Sequence, residues 1–166
     1  MKRASFVVLV TIVLNAGCAD QRTTSPGLAP KSTTLVTEVV DGDTIHVLLD
    51  GRTERLRLIG VDAPEIDHPD QPAECFAQES ASFTRRRLEG GMVHIEFDVE
   101  RRDRFDRLLG YVFQGRELFN ATLVSHGFAI ERAYPPNLAR QEELRIAETE
   151  ARRNRRGLWG ACERHY

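Results

Sequence analysis

Two Asp-Gly pairs, Asp41-Gly42 and Asp50-Gly51, divide the stretch from Leu35 to Val61 into three β-rich runs. Asp-Gly is a strong hairpin signal because a tight turn needs positive φ, which glycine adopts without a Cβ clash. Leu35 to Val40 is rich in strand formers, and Ile45, Val47 and Leu49 alternate with more polar neighbours. Arg55-Leu56-Arg57-Leu58-Ile59-Gly60-Val61 alternates in part, then breaks at Ala63-Pro64. A chain that begins this way is committed to an antiparallel meander with one apolar side, and that side needs a cover.

The rest of the chain supplies the cover. Pro64, Pro69 and Pro72 mark a loop, and Glu74 to Leu88 reads as a helix stopped by Gly90-Gly91. Met92 to Val99 alternates, with Val93, Ile95, Phe97 and Val99 on one face. Leu108 to Phe113 is a further strand, Gln114-Gly115 a turn, and Arg116 to His126 a helix ended by Gly127. Phe128 to Ile130 reads as a short strand. Pro135-Pro136-Asn137 precedes a last helix, with Asn137 as its expected N-cap and Leu144, Ala147 and Ala151 as its apolar spine. The order strand, strand, strand, helix, strand, strand, helix, helix predicts an α+β fold, mainly β: a small barrel with helices packed outside.

The length, 166 residues, fits one domain plus a leader. Lys2 and Arg3 precede an apolar stretch, Phe6 to Leu14, which is too short for a spanning helix of about 20 residues. Residues 1–18 therefore read as a signal peptide. Ala16-Gly17-Cys18 resembles the end of a bacterial lipobox, which would make Cys18 the site of lipid attachment. Asn15 departs from that pattern, and ordinary cleavage near Ala19 is the alternative. Residues 19–33 are polar and read as a flexible tether, leaving 34–166 as the folded domain. The expected location is outside the cytoplasm: lipid-anchored to the cell envelope, or periplasmic or secreted if the lipobox is not used. With Cys18 lipidated, Cys75 and Cys162 remain as an even pair, suited to a disulfide in an oxidising compartment. Two unrelated thiols is the alternative.

The net charge is −2 and becomes −4 once Lys2 and Arg3 leave with residues 1–17. This excludes a protein that coats nucleic acid through bulk positive charge, so any such contact must come from local clusters. Arg152, Arg153, Arg155 and Arg156 lie in the final turns of the last helix, where cations complement the macrodipole, and read as structural.

The chemistry concentrates in two runs, Asp41-Gly42-Asp43-Thr44 and Arg57 to Glu65. Asp43 and Asp62 are candidate ligands for a hard cation, Ca²⁺ or Mg²⁺, with water and phosphate filling most of about six to eight Ca²⁺ positions. Glu65, held at a fixed offset from Asp62 by Pro64, is a candidate general base. Arg57 and Arg107, the latter within Asp103-Arg104-Phe105-Asp106-Arg107, could clamp a phosphoryl group. Each has a plainer reading when taken singly: Asp-Gly as a turn, Pro-Glu as a turn or helix start, either arginine as a solvated strand-end charge. Arg57 and Asp62 are an odd number of residues apart, which sends them to opposite faces of a straight strand. They converge only if the strand end bends, which Gly60 permits. The histidines lack ligand spacing, no Ser-His-Asp order is persuasive, and there is no Gly-rich phosphate loop.

Taken in order, Val-Val-Asp-Gly-Asp-Thr, Arg-Leu-Arg-Leu-Ile-Gly-Val-Asp-Ala-Pro-Glu, Asp-Arg-Phe-Asp-Arg-Leu-Leu-Gly-Tyr-Val and Gly-Leu-Trp resemble the staphylococcal nuclease (thermonuclease) family, over roughly Leu35 to Trp159. The resemblance implies a five-stranded OB-fold barrel with three packed helices and Ca²⁺-dependent endonucleolytic hydrolysis of DNA and RNA. Carried over by motif, Asp43, Asp62 and the Ala63 backbone carbonyl ligate Ca²⁺, with Asp41 and Thr44 standing behind them. Glu65 is the implied general base, and Arg57 and Arg107 the implied contacts to the scissile phosphate. Arg104, Phe105 and Tyr134 are implied substrate contacts. The partners are DNA and RNA, and the membrane through lipid at Cys18; a monomer is expected. Ala63 stands where the family often has Thr, Phe105 where its prototype has Tyr, and Asp106 where it has Gly. Around Arg132-Ala133-Tyr134-Pro135 the alignment needs a gap. The second reading is a weak or inactive nuclease-like domain that binds nucleic acid or protein. Such domains are expected to lose one or more of Asp43, Arg57, Asp62, Glu65 and Arg107, and all five are here.

Overall fold

The computed structural model describes residues 33–67, 69 and 71–163. The expected signal peptide, Cys18 and the tether up to residue 32 lie outside the described residues. In chain order the described elements are β1 (Thr33–Val39), β2 (Thr44–Leu49), β3 (Arg52–Leu58), β4 (Val61–Asp62), α1 (Ala77–Leu88), β5 (Met92–Glu96) and β6 (Leu108–Gln114). β7 (Glu117–Leu118), α2 (Phe119–Ser125), β8 (Ile130–Glu131), α3 (Gln141–Arg153) and α4 (Leu158–Ala161) follow.

The first three strands form the expected meander. In the β2–β3 hairpin Leu49 faces Arg52 and Thr44 faces Arg57. Asp50 and Gly51 turn the corner with φ of 50° and 76°, the two positive values that match the right-handed twist of the strands. β1 pairs with β2 on one side and β5 on the other, and β5 pairs with β6, all antiparallel. β6 then returns to β3 in parallel, Leu56 opposite Leu108 and Leu58 opposite Gly110, and this closes five strands into a barrel. β4 and β8 make a separate two-stranded ribbon beside the barrel mouth.

Inward-facing Val36, Ile45, Val47, Leu56, Leu58, Val93 and Val112 fill the barrel, and Leu88 of α1, Phe119 and Leu123 of α2 and Leu144 of α3 join the same core. Leu144, Ala147 and Ala151 are buried along α3 as their spacing predicts. A smaller core of Ile130, Ala151, Leu158, Trp159 and Cys162 lies under the C-terminal segment, with Phe76 packed against it. Cys75 and Cys162 are joined by a disulfide across a Cα–Cα distance of 6.0 Å and 87 residues of sequence. Closing a loop of that length is worth about 4–5 kcal/mol in the chain-entropy picture.

Four sequence expectations change. The helix expected from Glu74 starts at Ala77, because Phe76 takes positive φ to stack on Phe128 at 5.4 Å. Arg116 to Leu118 are not helical: Glu117 and Leu118 pair with β6 before α2 begins. β5 ends at Glu96, so Val99 lies on an exposed loop rather than on the strand's buried face. Asp98 stops it there by accepting hydrogen bonds from the Val99 and Ala139 amides and the Tyr111 hydroxyl. Asn137 does not cap α3, whose N-cap is Arg140. Its buried amide instead bonds both backbone groups of Glu100, at 2.8 and 2.9 Å, fastening the loop before α3 to the loop after β5. The Arg cluster at the end of α3 is structural where its contacts are described: Arg152 pairs with Glu148 and lies 4.1 Å from the centre of the Trp159 ring, and Arg156 pairs with Glu150.

Candidate active site

Asp41, Gly42 and Asp43 form the bend between β1 and β2, pressed against α1. A Cβ on Gly42 would meet Ser80 Oγ at 2.1 Å and the Ala63 Cβ at 2.5 Å, so only glycine allows this approach. The Thr84 hydroxyl secures the bend by donating to the Gly42 carbonyl at 2.7 Å. Asp41 Oδ1 accepts the amides of Asp43 (3.0 Å) and Thr44 (2.7 Å), which makes Asp41 the brace of the turn.

Asp43 is 3 % exposed and heavily bonded. Its Oδ2 accepts the Ala63 amide at 2.7 Å and lies 2.9 Å from an Arg57 amino group, and its Oδ1 accepts the Thr44 hydroxyl at 3.1 Å. Burial pushes the Asp43 carboxyl up to about 8, Asp41 and Asp62 add to the rise, and Arg57 and the Ala63 amide oppose it.

The chain does bend at Gly60, with φ of 76°, and this solves the problem of the odd spacing. Arg57 reaches around the bend: one amino group donates to the carbonyls of Leu58 (3.0 Å) and Val61 (2.7 Å), the other to Asp62 Oδ1 (3.1 Å). Asp43, Arg57 and Asp62 are therefore one hydrogen-bonded unit, with all four terminal bonds of Arg57 directed at protein oxygen.

Asp43 and Asp62 offer carboxyl oxygens, which pair here with Arg57 and Arg132. That is the donor chemistry of a hard divalent cation. Among the described residues no group of three or more His, Cys, Asp or Glu is arranged to hold a metal by protein ligands alone. The residues fit an open site, one that water and substrate complete.

Glu65 stands beyond Pro64 with its side chain exposed. Partial desolvation raises its carboxyl above the usual range, helped by Asp41, Asp62 and Glu74 and opposed by Arg57. Its amide donates to Glu74 Oε2 at 2.9 Å, and the Glu74 amide donates back to the Glu65 carbonyl at 2.9 Å.

The second arginine belongs to a cleft of about 530 Å³ whose lining includes Arg57, Arg104, Phe105, Arg107 and Tyr134. Asp103 builds its rim. One of its oxygens accepts the Phe105 and Arg107 amides, both at 2.9 Å, and the other accepts Arg107 Nε at 2.7 Å. Burial works against the Asp103 charge, but these bonds outweigh it and hold the carboxyl below its usual range. Arg107 keeps two terminal amino groups that have no hydrogen-bond partner among the described residues. Phe105 is 64 % exposed, with the Arg104 guanidinium 4.7 Å from its ring centre. Asp106, at positive φ where glycine is easiest, turns away from Arg107 and lies 3.4 Å from Arg102.

The structure thus gathers Asp41, Asp43, Thr44, Arg57, Asp62 and Ala63 at one wall, and Arg104, Phe105, Arg107 and Tyr134 around the cleft that Arg57 also lines. Three neighbours were not anticipated. Arg132 Nε lies 3.3 Å from Asp62 Oδ2 and 3.3 Å from the Tyr134 hydroxyl, bridging wall and cleft. No local pattern marks it, because β8 delivers it by pairing Glu131 with Val61. Glu74 is equally unmarked. Asp103 did carry a signal: an Asp two residues before Phe105 and four before Arg107 is placed to bond their amides in a turn.

The family model for staphylococcal nuclease homologues matches residues 55–161. The chain is 39 % identical to the thermonuclease of Staphylococcus hyicus over 131 residues, 79 % of this chain and 78 % of that protein. It is 35 % identical to the thermonuclease of Staphylococcus intermedius over 166 residues, 96 % of this chain and 99 % of that one. The chain belongs to the staphylococcal nuclease family. A third relative is endonuclease YncB of Bacillus subtilis, 30 % identical over 122 residues, 72 % of this chain and 58 % of that protein. The OB-type barrel with its three longer helices is the fold this membership requires.

Proposed function

We propose that this nuclease-family protein is a Ca²⁺-dependent endonuclease that hydrolyses DNA and RNA outside the cytoplasm. The observation that supports the reading most is the adjacency of the carboxylate wall to the arginine-lined cleft, joined through Arg57, which belongs to both. Asp43, Asp62 and the Ala63 carbonyl would hold the cation. A bound Ca²⁺ would supply charge neutralisation at a phosphoryl oxygen. Arg107, whose terminal amino groups have no hydrogen-bond partner among the described residues, would grip the phosphate from the cleft side, while Asp103 fixes its Nε. Arg57 keeps the two ligand carboxylates together and presents its charge at the cleft edge, where it would stabilise negative charge developing in the transition state. Glu65, exposed and raised above the ordinary carboxylate range, would take a proton from the attacking water. Phe105, Arg104 and Tyr134 would hold the nucleotide beside the broken bond.

Residues 19–166, incubated with single-stranded DNA under non-reducing conditions, are expected to cut it with Ca²⁺ and to stop when the ion is chelated. A folded sample that cuts nothing with Ca²⁺ would move the weight to a binding module. Glu65→Gln should keep the fold and lower turnover by about 10²–10⁴-fold. The Cys75–Cys162 disulfide supports an oxidising compartment. Lipid attachment at Cys18 is tested by fatty-acid labelling of the full chain against Cys18→Ala, and equal labelling of both would remove the anchor.

A further inference from the structure

Glu65 lies beyond the end of β4, on a loop, with its side chain in solvent. A general base must keep one position while solvent pulls on it, so something outside the strand has to hold it. Among the described residues its only hydrogen bonds are the two it exchanges with Glu74, one from the Glu65 amide to the Glu74 carboxylate and one from the Glu74 amide to the Glu65 carbonyl. These bonds make a neck where Glu65 meets Glu74. Glu74 is in turn fixed by its neighbour. Cys75 is bonded to Cys162, and Cys162 sits in the small core with Leu158, Trp159, Ala151 and Ile130. The Glu74 carbonyl also accepts the Ala77 amide at 3.2 Å, which ties the neck to the first residue of α1.

We propose that Glu74 is the positioning residue for Glu65, and that the Cys75–Cys162 disulfide anchors this clamp to the C-terminal core. This rests on the role proposed above for Glu65. The disulfide then fixes the geometry of the reacting groups as well as stabilising the domain.

The test compares Glu74→Ala, Glu74→Gln and the paired change Cys75→Ala with Cys162→Ala, each shown to be folded by circular dichroism. The measurements are kcat and KM on single-stranded DNA with Ca²⁺, and hydrogen exchange at the Glu65 amide. Glu74→Ala should lower kcat about 10- to 100-fold with KM nearly unchanged, and should speed exchange at Glu65. Glu74→Gln keeps an acceptor oxygen at the same reach and should restore kcat to within about threefold. The paired cysteine variant should show the Glu74→Ala pattern, milder. Wild-type kcat in Glu74→Ala overturns the proposal, whatever the exchange rate. Equal damage in Ala and Gln variants also overturns it, since the accepted hydrogen bond would not be what matters. The reading of Glu65 itself fails separately: Glu65→Gln would then turn over at the wild-type rate, whereas a dead Glu65→Gln beside an unaffected Glu74→Ala sinks only the clamp.

Discussion

The wall and the rim of this site share one residue, Arg57, and are made of different material. On the wall, Asp43 is 3 % exposed and the Arg57 side chain 12 %, and Arg57 spends both amino groups on protein oxygens. On the rim, Phe105 is 64 % and Tyr134 50 % exposed, and Arg107 keeps amino groups in reserve. Under the proposed function the wall holds a cation, and carboxylates on strand ends and against α1 would be fixed before anything binds. Under the same proposal the rim grips polymers of varied sequence and would gain by being exposed, because stacking and phosphate contacts do not depend on the base. The two arginines, similar as sequence motifs, divide accordingly: Arg57 is part of the framework and Arg107 is a hand.

The sharpest way to break the comparison is to treat both arginines alike. Arg57→Ala should lose about 10³-fold in cleavage rate and also about 3–5 kcal/mol in a denaturant titration above about pH 8, where Asp43 is ionised and loses its counter-charge. Arg107→Ala should lose a similar rate with little loss of stability. Equal stability losses would abolish the distinction.

Next is the pH response of the wall. The Asp43 carboxyl stands at about 8 in the folded protein against an ordinary 3.8, so the folded state keeps a proton that the unfolded state releases between those values. Its contribution is complete below the lower value and disappears as pH rises through the upper one. With chelator present, Tm should fall by about 5 °C from about pH 5 to about pH 8.5, and Asp43→Asn should flatten that fall. A fall of the same size in Asp43→Asn would place the titrating group elsewhere.

Rim effects are smaller and confined to binding. Phe105→Ala should raise KM for single-stranded DNA about tenfold, with kcat and Tm nearly unchanged, if a base stacks there. Smallest is Arg132→Ala, since the Arg132 side chain is 53 % exposed and pairs at 3.3 Å. Stability should move by less than about 0.5 kcal/mol. A KM rise of about threefold would assign Arg132 to the rim with Tyr134. A loss of Ca²⁺ affinity in calorimetry would assign it to the wall with Asp62.

The parts of this molecule that could be read from sequence are those set by local chemistry. Alternation and Asp-Gly turns located the meander, and the spacing in α3 located its buried side. The carboxylates and arginines stood out because such residues cluster at strand ends for few reasons other than chemistry. Tertiary contacts decided the rest. Asn137 looked like a cap because Asn next to a helix usually is one, but a loop 37 residues away claimed its amide first. Arg116 to Leu118 had helical composition, yet the free edge of β6 offered backbone partners. Glu74 and Arg132 owe their places to a disulfide and to a two-residue ribbon, neither of which leaves a periodic trace.

The parallel closure of β6 on β3 also sets when the site comes into being as the chain folds. Thr44 and Arg57 are opposite one another in a single hairpin, so the Asp43–Arg57 half can assemble from neighbours in sequence. Arg107 arrives only when Leu108 docks beside Leu56, a contact between residues far apart in the chain, and such contacts form late because their loops are costly to close. A chain that held only the hairpin would lack Arg107 at the site and, on the proposed function, would not cut. On that reading, recovery of cleavage during refolding would report the sealing of the barrel itself.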